Sequence, residues 1–94
     1  MTIPEIRHET DHSRFVADTQ FGEAVLDYMR DGKRIVFTHT GVPPEIEGKG
    51  IGTALAKAGL DHARDEGLVV KPMCPFVAAF VKRNPEYQPL LAAR

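Results

Sequence analysis

A single cysteine, Cys74, stands in the 94-residue chain, so no internal disulfide can form and no multi-cysteine zinc site can be assembled. Charge of neither sign dominates. Twelve Lys and Arg face 13 Asp and Glu, giving a net charge of −1 and a sequence pI near 6.4. The longest basic runs are the pairs Lys33–Arg34 and Lys82–Arg83, short of the basic face through which nucleic-acid binders neutralise phosphates. That argues against a DNA or RNA partner and leaves room for a small anionic ligand. No apolar run approaches the roughly 18 residues of a membrane span. Residues 1–11 carry Glu5, Arg7, His8, Glu9 and Asp11 where a signal peptide would be apolar. The expectation is a cytoplasmic protein without a membrane partner or a metal.

What is present is the make-up of an ordinary globular chain, 43% hydrophobic and 27% charged. Its length suits one small domain over residues 1–94, able to bury roughly 60–65% of the surface of its unfolded form. The first half reads as strands: Ile6–Glu9, Arg14–Thr19, Glu23–Arg30 and Arg34–Thr40. Alternation puts Phe15 and Ala17 on one face of the second strand, and Ile35, Phe37 and His39 together on one face of the fourth. Asp31-Gly32 predicts a type I′ hairpin between the third and fourth strands. Val42-Pro43-Pro44 then stops the ladder, because proline cannot donate to a sheet.

Gly48–Glu66 predicts a helix that opens in a glycine loop and ends at Gly67, a position suited to a left-handed cap. Thr53, Lys57, Asp61 and Arg64 cluster on one side of it. Ile51, Ala54, Leu55, Ala58, Leu60 and Ala63 form a broad apolar stripe, as in a helix laid across a sheet. Leu68–Cys74 reads as a short strand, and Pro75 suits the first turn of a last helix. Phe76, Ala79 and Phe80 are expected on its inner face, and it should end before Pro85. This order predicts an α+β fold with a mixed sheet.

Glu47-Gly48-Lys49-Gly50-Ile51-Gly52-Thr53 is the most informative stretch. Between a strand and a helix, its amides include those that a helix cannot pair internally. Glycines allow close backbone approach, and the helix dipole favours phosphate or diphosphate there. Lys49 adds a positive charge at the rim. A Walker loop is excluded, because Gly50 follows Gly48-Lys49 and position 43 is proline. A dinucleotide fingerprint would need glycine where Thr53 stands and a parallel sheet before it. The acyl-CoA pattern Gln/Arg-x-x-Gly-x-Gly/Ala is matched at every position except the first. Glu47 stands there, which leaves the cradle to the backbone.

Further segments carry a family likeness. His39-Thr40-Gly41-Val42-Pro43-Pro44-Glu45, the glycine loop, Leu60-Asp61-His62-Ala63-Arg64, Cys74-Pro75-Phe76-Val77-Ala78-Ala79-Phe80 and Asn84-Pro85-Glu86-Tyr87 together resemble the small YjdJ-type family of GNAT-superfamily N-acetyltransferases, over residues 5–92. The resemblance implies a compact GNAT fold: an antiparallel meander, then a helix, a parallel strand and a C-terminal helix. It also implies acetyl-CoA as acyl donor and an amine acceptor, either a small amine or a protein lysine. Two parallel strands would splay apart. The pantetheine arm would enter that gap along Thr40, Gly41 and Val42 like an added strand, and the diphosphate would sit on Gly48, Lys49, Gly50, Ile51, Gly52 and Thr53. Longer relatives continue into strands that build the acceptor side. Asn84 stands where many relatives carry histidine, so no imidazole acts there.

Acetyl transfer to an amine needs a deprotonated nucleophile, oxyanion stabilisation and protonation of the departing thiolate. Cys74, between a strand end and a helix N-terminus, has the setting in which thiols become exposed and reactive. It is a candidate acyl carrier or proton donor, set against the commoner role of a buried core thiol. His39 is a candidate general base beside the expected splay, set against a packing histidine. Tyr87 is read first as a packing ring on the last helix, His62 as structural, and Lys82 and Arg83 as a solvated helix end. The rival to an enzyme is a non-catalytic module that binds or senses acyl-CoA.

Overall fold

Alternating side chains in the first 41 positions build an antiparallel meander, which the computed structural model, describing residues 3–91, shows as four strands. They are β1 (Ile6–Glu9), β2 (Arg14–Thr19), β3 (Gly22–Asp31) and β4 (Arg34–Gly41). A crossover helix, α1 (Ile51–Asp65), leads to β5 (Val69–Pro72), which pairs parallel to β4. The chain continues through α2 (Pro75–Arg83) into a 3-10 helix, Pro85–Leu91. Strand order follows chain order, β1-β2-β3-β4-β5, in one mixed sheet. The architecture is the α+β arrangement expected from the sequence.

One face of the sheet carries the core. Phe15, Ala17, Ala24, Leu26, Tyr28, Ile35 and Phe37 meet Ile51, Leu55, Leu60 and Ala63 of α1, and Val77, Phe80 and Val81 of α2 join the same cluster. Gly59 lets α1 lie close to the sheet: a Cβ there would sit 2.9 Å from both Leu26 Cδ2 and Phe37 Cε1. The other face is stitched by charge. Arg7 contacts Glu9, Asp18 and Glu23, and Arg14 contacts Glu9 at 2.8 Å and Glu23 at 3.5 Å. Exposed pairs of this kind stabilise little one by one, and here they cover Val16, which is fully buried between its register partners Arg7 and Val25.

Three local expectations change. The β3–β4 loop is Gly32-Lys33, because Asp31 still pairs with Arg34. Gly32 has a φ of 60° and Lys33 has no positive φ, the requirement of a type II′ turn rather than type I′. In β4, a bulge falls where Asp27 faces His39 but Tyr28 faces Phe37, leaving Thr38 as the extra residue. One extra residue reverses every side chain beyond it. His39 therefore leaves the face of Ile35 and Phe37 and becomes exposed. In α2 the inner face is Val77, Phe80 and Val81, whereas Phe76 and Ala79 are exposed.

Candidate active site

After β4 the chain turns through Pro44–Ile46, with Ile46 buried as an anchor. It reaches α1 through Gly48 at φ 78° and Gly50 at φ 95°, a conformation that is costly for any side chain with a Cβ. Gly50 is the N-cap and offers no side chain to cap the helix. The first bond into the helix is Ala54 N–H to the Gly50 carbonyl, 3.0 Å. Among the described residues, the amides of Gly50, Ile51, Gly52 and Thr53 have no protein partner. They carry the positive end of the helix dipole, and Gly50, Gly52 and Thr53 open onto a cavity of about 420 Å³. Thr40, Val42, Glu47, Gly48, Gly50, Gly52, Thr53 and Phe76 line it.

The cavity adjoins a fork between β4 and β5. Their pairing stops at Phe37 and Pro72, while β4 runs on to Gly41. Met73 turns its N–H back to the Lys71 carbonyl, and Cys74 N–H takes the Phe37 carbonyl at 2.9 Å. Pro75 then has no N–H to offer. Thr38–Gly41 thus has no strand partner on its β5 side. At the base of the fork, Thr40 Oγ1 lies 3.0 Å from Cys74 Sγ. Cys74 is the N-cap residue of α2 and only 4% exposed. The exposure expected from its strand-end position is absent, because its amide is drawn onto Phe37 beneath α2.

Of the residues singled out from sequence, Thr40, Val42, Gly48, Gly50, Gly52 and Thr53 come together on the cavity wall. Gly41, Lys49 and Ile51 do not: Ile51 is a core residue, 1% exposed, and Lys49 projects into solvent. His39 lies on the face opposite α1, its Nε2 3.1 Å from where a Gly41 Cβ would be. It is therefore separated by the thickness of β4 from the Thr40–Cys74 pair. Tyr87 is buried, and its hydroxyl donates to Asp61 Oδ1 at 2.7 Å and accepts from Lys57 Nζ at 3.3 Å. Burial and the Asp61 carboxylate push the Tyr87 phenol up, and it ties the C-terminal 3-10 helix to α1. Lys82 and Arg83 are exposed at the far end of α2 from Phe76.

Phe76, expected on the inner face of α2, instead forms a cavity wall. Helical phase alone does not decide it: Phe76-Ala79-Phe80 and Val77-Phe80-Val81 both satisfy the i, i+3, i+4 spacing of a buried stripe, and tertiary packing selects the second.

A run of unpartnered backbone amides thus opens a helix beside a fork of parallel strands, in a compact α+β fold of GCN5-like type. The profile of the GCN5-related N-acetyl-transferase family matches residues 14–90; the chain belongs to that family. It is similar to Protein NATD1 of Bos taurus, 48% identical over 63 residues, covering 66% of this chain and 56% of that protein. The Gallus gallus protein of the same name is 37% identical over 84 residues, covering 86% and 76%. The solution structure of a GCN5-like protein from Staphylococcus aureus superposes with a TM-score of 0.74 at 30% identity, covering 96% of this chain and 89% of that one. The match to the cattle protein thus spans little more than half of its length.

Proposed function

We propose that this chain transfers an acetyl group from acetyl-CoA to an amine acceptor. The observation that carries the reading is the run of unpartnered amides from Gly50 to Thr53 at a cavity that Thr40, in the unpaired end of β4, also lines. These amides and the dipole of α1 suit a diphosphate. The free edge of Thr38–Gly41 suits the amide groups of an extended arm, bonded as an added strand would be. Acetyl-CoA supplies an activated thioester; the chain supplies position and proton management.

As the new C–N bond forms and the C–S bond breaks, the amine loses a proton and the departing sulfur gains one. Thr40 and Cys74, hydrogen-bonded at the base of the fork, are the donors assigned to the sulfur. His39, on the opposite face of β4, is assigned to the amine proton. An acceptor served by His39 therefore approaches from the face of the sheet opposite α1. A second reading is binding without turnover. Among the described residues, Glu47 is the one titratable residue on the cavity wall, which favours a module that holds acyl-CoA for another purpose.

Titration with CoA, followed by backbone amide NMR, is expected to shift Gly50 and Gly52. With acetyl-CoA and a panel of amines, CoA should be released faster than in buffer, and Cys74→Ala should slow that release by about tenfold or more. No shift in the loop overturns the assignment. Normal CoA binding with no turnover on any amine leaves the binding module.

A further inference from the structure

The cavity wall is polar or glycine except at two places, Val42 at the end of β4 and Phe76 in the first turn of α2. Phe76 is 37% exposed although its neighbour Val77 is fully buried. Its ring rests on the backbone of Gly52, where a Cβ would come within 3.0 Å of Phe76 Cζ. An aromatic ring held half in solvent, against a residue whose amide has no partner, is not serving the core. Gly52 has an ordinary helical φ. Its lack of a side chain is used to admit the ring.

We propose that Phe76 is the specificity wall of the donor site, packing with Val42 around the first apolar group of the arm that follows the diphosphate. The inference rests on the acetyl-CoA reading above and adds a residue to it. In CoA that group is the quaternary carbon with its paired methyls, next to the diphosphate. A diphosphate on the amides of Gly50 to Thr53 places those methyls beside Gly52, where the ring lies. Phe76 thus selects pantetheine-bearing nucleotides over nucleotides that offer the diphosphate alone. Gly52 acts through it as a positioning residue.

The test compares CoA with 3′-phospho-ADP, which carries the diphosphate without the arm, by calorimetric titration of the 94-residue chain. Phe76→Ala should weaken CoA by about fifteenfold, from the loss of about two buried methyl equivalents at a factor of about four each. Binding of 3′-phospho-ADP should stay within about twofold. Phe76→Leu, which keeps an apolar wall and guards against misfolding of the alanine variant, should retain most of the CoA affinity. Gly52→Ala should reproduce the selective loss in the native background and add little in the Phe76→Ala background. Equal weakening of both ligands, or no weakening of CoA, overturns the proposal while the donor-site reading survives. If the unaltered protein binds neither ligand, that underlying reading fails, and this inference with it.

Discussion

Glu47 is the residue whose chemistry runs against its surroundings. It sits on the wall of the cavity that the unpartnered amides of Gly50, Gly52 and Thr53 face, in the position where the acyl-CoA pattern has a neutral or cationic side chain. A like charge near a diphosphate weakens binding modestly at a solvated surface. Glu47→Gln is therefore expected to tighten CoA binding by about fivefold at low salt, measured by titration. The gain should shrink in molar salt, where exposed charges are screened. A variant that binds no better would place the Glu47 carboxylate outside the field of the ligand. At this scale the sequence was readable where backbone geometry alone demands a residue type, as at Gly48 and Gly50. It was not readable at His39 and Cys74. One bulged residue, Thr38, turns His39 to the other face, and Cys74 is buried by joining the core cluster; both depend on partners distant in sequence.

At the scale of elements, β1 is held by a small aromatic and imidazole cluster remote from the cavity. His8 Nε2 lies 2.6 Å from the Tyr28 hydroxyl of β3, its ring stacks on Phe15 of β2 at 4.1 Å, and His62 of α1 meets it edge-on at 4.5 Å. Burial, and then the facing His62, hold the His8 imidazole below the ordinary histidine range. A base with a depressed folded pKa binds its proton more readily when unfolded. The stability it confers is thus full above about pH 6.5 and falls as pH drops below that value. Thermal unfolding should show a lower midpoint at pH 5.5 than at pH 7.5, and His8→Gln should flatten that difference. If the variant follows the same pH curve, the cluster is not responsible. A separate contribution belongs to Glu9, whose carboxyl Arg7 and Arg14 hold down at about 2. It is lost only as pH falls from about 4.5 toward 2.

The elements themselves followed from alternation and from proline and glycine placement. Strands β1 and β2 fall where the pattern puts them, and Gly67 closes α1 with a φ of 69°. The hairpin loop slipped by one residue because Asp31-Gly32 and Gly32-Lys33 are both turn-competent. Cross-strand register, which propensity does not see, decides between them.

For the molecule as a whole, one contiguous core joins the sheet to both helices, and Gly59 is its tightest point. Gly59→Ala raises helix propensity by about 1 kcal/mol. It also drives a methyl into two fully buried side chains, an overpacking that typically costs about 1–3 kcal/mol. The expected outcome is a net loss of about 1 kcal/mol in urea unfolding, with the cavity residues and β1 melting in the same transition. An unchanged or higher midpoint would show that Leu26 and Phe37 can move aside. The family was readable from spaced motifs along the chain, whereas which of His39 and Thr40 faces the core required the bulge to be seen.

The fork has a kinetic corollary. Met73 spends its amide on Lys71 and Pro75 has none to give, so the two strands have no means of zipping further together when the gap is empty. A molecule sliding in displaces solvent but breaks no ladder. Its arrival rate should be set by diffusion and orientation, without a preceding opening step.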